Sequence, residues 1–167
     1  KDGVMQTGWL TDNGKKYYLK SSGAAATGFN DIDGKKYYMD PEGALGKSWV
    51  KSKDNWYFLN NEGIVQKSWI KDGDKWYFLN NDGAMQTGWF KEGTNWYYLS
   101  GSGAMQSGWV KDANSWYYLN SSGIMKTGWI KDGNNWYYLD SSGSMKTGLL
   151  ELDGKKYMLA DDGHLFV

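Results

Sequence analysis

The sequence repeats every twenty residues without a single insertion or deletion, and that regularity limits the possible folds more than any other property. Stepping by twenty in both directions from Trp69 reaches Trp9, Phe29, Trp49, Trp89, Trp109, Trp129 and Leu149. Glycines keep the same interval at Gly3, Gly23, Gly43, Gly63, Gly83, Gly103, Gly123, Gly143 and Gly163, each near Ser, Asn, Asp or Glu, which marks turns. An aromatic run recurs as "KYYL" at 16–19, "KYYM" at 36–39, "WYFL" or "WYYL" beginning at 56, 76, 96, 116 and 136, and "KYML" at 156–159. The chain therefore reads as one repeat module over 1–167: an incomplete repeat at 1–8, then full repeats starting at 9, 29, 49, 69, 89, 109, 129 and 149. The opening "KDGVMQTG" is the tail of a repeat whose front is missing, so the sequence reads as a mature or excised piece of something longer.

Inside one repeat, "SWIK" and "KWYFL" are short aromatic and β-branched runs separated by "DGD", a spacing that predicts a β-hairpin and leaves no room for a helix. If Lys71 pairs with Trp76, then Ile70 opposes Tyr77 and Trp69 opposes Phe78. Strand side chains alternate, so Trp69, Trp76 and Phe78 share one face, while Ile70, Tyr77 and Leu79 take the other. A lone hairpin is marginal in water, so each must stack on its neighbours. The predicted fold class is all-β, a solenoid of stacked β-hairpin repeats. Its end units should differ because they cap it, and Lys16, Lys36 and Lys156 do replace the tryptophan of the run there.

Several functions are disfavoured. The 19 basic and 19 acidic residues cancel, and none of the bases is arginine, so nucleic acid is a poor partner. No stretch approaches the length of a membrane span. With no cysteine, neither a disulfide framework nor a thiolate metal site is available. The single histidine, His164, stands three residues from the end of the sequence and reads as part of a capping turn. Asp72, Asp112 and Asp132 recur with the repeat as turn residues do, and "DGD" lacks the distant bidentate Glu of a calcium loop. No catalytic residue, metal site or cofactor is expected, and any catalysis would belong to a domain outside this sequence.

Composition then bears on the ligand. Packing alone is served by Leu, Ile and Val, whereas this chain holds 11 Trp and 13 Tyr and uses Trp twice in each of its five central repeats. Repeated aromatic faces suit sugars lying flat on them or quaternary ammonium groups enclosed by them. Trp69 and Trp76, with Tyr98 from the equivalent face of the next hairpin, could wall a small box for a trimethylammonium group.

The unit "GW-x-K-(x)n-WYYL-(x)n-G-x-M-x-TG" closely resembles, over the whole chain, the choline-binding repeats of cell-surface proteins and cell-wall hydrolases in bacteria whose teichoic acids carry phosphocholine, and in their phages. The resemblance implies a left-handed superhelix of hairpins with choline held between consecutive units by two tryptophans of one and an aromatic of the next, a methionine often closing the pocket. Carried over by residue, the expected boxes are Trp49, Trp56 and Phe78; Trp69, Trp76 and Tyr98; Trp89, Trp96 and Tyr118; and Trp109, Trp116 and Tyr138. Met85, Met105 and Met125 are the expected fourth walls of the last three. Trp9 with Lys16 and Phe29 with Lys36 are not expected to bind, because an ammonium would repel a cationic ligand. Trp129 with Trp136 is not expected to bind either, since Met158 stands where the third ring is required. Lys71, Lys91, Lys111 and Lys131 form a solvated strand edge that could meet a neighbouring phosphate.

The implied role is a secreted, non-covalent anchor at the bacterial cell surface, binding phosphocholine on teichoic or lipoteichoic acid and carrying an attached catalytic or effector domain. The alternative is a glucan-binding or toxin-type carbohydrate-binding module, which the "GKKYY" at 14–18 and 34–38, and its first four residues at 154–157, also resemble. The second tryptophan of the central repeats separates the two.

Overall fold

The structure is a computed structural model that describes residues 3–166. Among the described residues, sixteen five-residue strands pair two by two as antiparallel hairpins over 8–19, 28–39, 48–59, 68–79, 88–99, 108–119, 128–139 and 148–159. The register is the expected one: Lys71 opposes Trp76, Ile70 opposes Tyr77 and Trp69 opposes Phe78. Two-residue turns close the hairpins. At Asn13 and Gly14, φ is 48° and 77°, the doubly positive pattern of a type I′ turn, whose twist matches that of the flanking strands. Among the described residues each sheet is a single hairpin, and the loops between hairpins bond back to earlier strands, as where the Leu45 amide donates to the Lys16 carbonyl. This is the all-β hairpin solenoid anticipated above.

Contacts group the chain into two compact units, Lys1–Gln86 and Thr87–Val167. In the first, Met39, Leu59 and Leu79 are the fully buried large side chains; in the second, Leu99, Leu119, Leu139 and Leu159. All are the last residue of a hairpin's second strand, on the face that carries Tyr77 in the fourth hairpin. Burying each leucine contributes about 1.5–3 kcal/mol, so this single register position supplies the spine of each unit.

The loop after each hairpin is built around one side chain. Asn120 Oδ1 accepts from the amides of Ser122 and Ile124, at 3.0 and 2.9 Å, while the Gly123 amide donates to the Asn120 carbonyl at 2.8 Å. Asn60 and Asn80 repeat these bonds. Glycine is required at the apex for two reasons. Gly143 has φ of 85°, and a Cβ there would overlap the sulfur of Met125 from the preceding loop. The recurrence of a glycine and a methionine at fixed spacing is thus one packing contact made again and again.

Candidate functional site

The side chains that form the recurring clefts come from known places in this frame. Trp89 and Trp96 lie on the same face of the hairpin at 88–99, Trp89 edge-on to its cross-strand partner Tyr98 at 5.0 Å. From the next hairpin, Tyr117 places its ring 4.8 Å from that of Trp89. The Met125 amide donates to the Trp96 carbonyl at 2.8 Å, which pins the following loop beside the second tryptophan. Trp89, Trp96, Tyr117, Met125, Ser141 and Ser142 line a cleft of about 380 Å³. One repeat on, Trp109, Trp116, Tyr137, Met145, Asp161 and Asp162 line one of about 330 Å³. Both volumes suit a small organic ligand. In the first unit Trp49 meets Tyr77 at 4.9 Å, and Met85 is pinned to the Trp56 carbonyl at 2.8 Å, the same construction.

The third ring differs from the expected one in each of these clefts. Phe78 packs on Trp69 at 5.3 Å, Tyr98 on Trp89 at 5.0 Å, Tyr118 on Trp109 at 5.1 Å and Tyr138 on Trp129 at 5.2 Å, each within its own hairpin. The ring that reaches back to the preceding hairpin is Tyr77, Tyr117 or Tyr137, from the opposite face. Alternation fixes faces within a hairpin but not the turn between hairpins, and successive hairpins meet by unlike faces. The methionines shift for the same reason: Met125 rather than Met105 lines the Trp89 cleft, Met145 rather than Met125 the Trp109 cleft, and Met85 belongs with Trp49 and Trp56. Trp69 and Trp76 occupy the corresponding positions of the hairpin at 68–79.

The same offset changes the standing of Trp129. Its partner from the next hairpin is Tyr157, at 5.0 Å, and the Leu165 amide donates to the Trp136 carbonyl at 2.8 Å. The ring set is complete there, with leucine in place of methionine. A signal for the ring that reaches back is present in the sequence: the ninth residue of the repeat is tyrosine in all eight hairpins, from Tyr17 to Tyr157, whereas the tenth varies among Tyr, Phe and Met.

Two polar features were not anticipated. The indole N–H groups of Trp49, Trp89 and Trp109 donate to the carboxylates of Asp72, Asp112 and Asp132 at 3.0, 3.1 and 3.0 Å. These aspartates are therefore more than turn residues, since each fixes the plane of a cleft wall on the preceding hairpin; Leu152 holds the corresponding place for Trp129 and offers no acceptor. The lips also differ in charge, Ser141 and Ser142 at one cleft against Asp161 and Asp162 at the other. The His164 ring, hydrogen-bonded to Asp162 at 2.5 Å, holds that carboxyl below the usual aspartate range.

The second tryptophan is the least covered wall. Trp56, Trp76, Trp96, Trp116 and Trp136 all keep 40–42% of their surface exposed. Five indoles left open to the same degree are not core residues. The choline-binding repeat family matches residues 66–107 and 106–149, and the cell wall binding repeat family matches 7–25, 27–45 and 47–64. The chain belongs to the choline-binding repeat family. Among solved structures, CbpJ from Streptococcus pneumoniae is 35% identical with a TM-score of 0.92, over 98% of this chain and 66% of CbpJ. Choline-binding protein F of the same organism is 36% identical with a TM-score of 0.86, over 97% and 58%. The choline-binding domain of CbpL, also pneumococcal, is 30% identical with a TM-score of 0.71, over 96% and 87%. This choline-binding repeat chain thus spans less than two thirds of CbpJ and of choline-binding protein F. No curated protein matches it. The clefts of this choline-binding repeat module present an aromatic wall and a soft thioether, which suit a quaternary ammonium group, a cation that can neither donate nor accept a hydrogen bond.

Proposed function

We propose that this module anchors a protein to phosphocholine-bearing teichoic or lipoteichoic acid at the bacterial cell surface, by holding choline in the clefts headed by Trp49, Trp89, Trp109 and Trp129. The observation that carries the reading is the constant partial exposure of the second tryptophan beside an otherwise closed ring frame. A trimethylammonium group seated there replaces water on the open indole face. Each ring contributes about 0.5–2 kcal/mol by attraction of its electron-rich face for the cation, more where water is excluded. One such cleft binds weakly. A row of them on a polymer that displays many cholines raises the overall affinity by about 10²–10⁴, which makes a reversible anchor. The cargo, a catalytic or effector domain, lies outside this sequence.

Lys91 and Lys111 bring their ammonium groups to 5.9 Å from the ring centres of Trp96 and Trp116, near enough to the cleft mouths to meet the phosphate of a phosphocholine. The test is isothermal titration with choline beside a matched titration with a glucan oligosaccharide. Heat and tryptophan quenching with choline, and loss of one site in Trp116→Ala, are expected. A response to the sugar alone would overturn the reading in favour of a carbohydrate-binding module.

A further inference from the structure

The first two hairpins carry the ring frame of the central clefts but a lysine where the second tryptophan stands. Trp9 meets Tyr18 at 5.2 Å and Tyr37 at 5.0 Å; Phe29 meets Tyr38 at 5.0 Å and Tyr57 at 4.6 Å. The backbone is likewise the same, since the amides of Leu45 and Val65 donate to the carbonyls of Lys16 and Lys36 at 2.7 and 2.8 Å, as Met145 does to Trp116 at 2.8 Å. Lys16 Nζ lies 4.4 Å from the ring centre of Trp9, and Lys36 Nζ lies 4.9 Å from that of Phe29. Both ammonium groups therefore sit where a cation is attracted to the ring face.

At Lys36 the choice of partner shows that the ring is what holds the ammonium; Lys16 faces Thr11 across its ladder and has no carboxylate there to choose. Asp31 stands directly across the ladder from Lys36, yet among the described residues Lys36 forms no ion pair and turns to Phe29 instead. The eighth hairpin is the internal control. Lys156 occupies the same register position, but the ring is replaced by Leu149, and there the ammonium goes to the carboxylate across the ladder, Glu151, at 3.1 Å.

We infer that Lys16 and Lys36 are tethered ligands, each filling the cation position of its own cage, so that the first two inter-hairpin frames are closed to free choline and need none. The inference rests on reading the open clefts as cation cages. In the central repeats the cage takes its cation from solution, whereas here the chain supplies it. The first three hairpins then hold together in the absence of ligand.

The test combines NMR of the unaltered protein with one designed site. Ring currents should shift the ε-methylene protons of Lys16 and Lys36, assigned with Lys16→Met and Lys36→Met, upfield of those of Lys156, and saturating choline should leave them there. Resonances at the position of Lys156, or a return to it as choline is added, would overturn the inference. Lys16→Trp should gain one choline site over the parent by titration. An unchanged count in a variant whose circular dichroism matches the parent would also overturn it. A parent that binds no choline but keeps the upfield lysines would sink the anchor reading and leave the tethered cations standing.

Discussion

At the scale of single residues, the decisive distinction lies between two neighbouring aromatics. Tyr117 faces the Trp89 cleft and Tyr118 packs inside its own hairpin, so Tyr117→Leu should abolish binding at that cleft while Tyr118→Leu mainly lowers stability. Site counts by titration and thermal melts of both variants check this, and equal loss of sites in the two would contradict it. Asp112 acts through the indole it fixes. Asp112→Leu, which copies Leu152, should keep the fold and weaken that cleft about two- to twelvefold, the worth of roughly 0.5–1.5 kcal/mol for a hydrogen bond between part-exposed groups. The tryptophans were legible in the sequence because they break the habits of a packed core. The aspartates were not, because a turn explains them equally well until the neighbouring hairpin is in place. The third ring was misassigned by one residue because alternation is a rule within a strand pair.

At the scale of the repeated element, hairpin and loop depend on each other through the cleft. Gly143→Ala strains a left-handed backbone and pushes on Met125, so it should cost about 1–3 kcal/mol and impair the Trp89 cleft, whose lip at Ser141 and Ser142 belongs to the same loop. Denaturant unfolding and site counts read both effects. The loop at 140–145 adds a pH dependence. Asp140 accepts the Ser142 hydroxyl at 2.5 Å and the amides of Ser142 and Ser144 at 2.9 and 3.1 Å, and these bonds, the hydroxyl first, hold its carboxyl below the usual range. A depressed carboxylate contributes stability that is complete above its unfolded value and is lost as pH falls through the lower folded one. Melts should therefore be insensitive to this group near neutrality and fall only in acid. Asp140→Asn should remove that acid sensitivity, since Asn60, Asn80 and Asn120 build the same loop uncharged. The hairpins themselves were fully legible, register included, because a two-residue turn and a period of two leave one pairing.

At the scale of the whole chain, the clefts are copies that differ in their surroundings. Asp161 and Asp162 at the lip of the Trp109 cleft attract a cation that Ser141 and Ser142 leave unassisted. Exchanging both aspartates for serine should weaken that cleft and flatten the salt dependence of choline binding, while the Trp89 cleft stays as it was. Because His164 keeps Asp162 ionised below the usual range, the advantage should persist into mild acid. Saturating choline should also raise the melting temperature, by the equivalent of about 2.7 kcal/mol per site at a hundredfold excess over Kd.

Each complete ring frame uses positions separated by constant intervals: the first tryptophan, the second seven residues later, and the tyrosine twenty-eight residues after the first, as in Trp109, Trp116 and Tyr137. Since no repeat is longer or shorter than its neighbours, a genetic exchange between equivalent positions of any two of them restores all of these intervals in the product. Chains of this kind can gain or lose gripping points by recombination in whole steps, so reach and grip on a surface are traits that change by counting rather than by redesign.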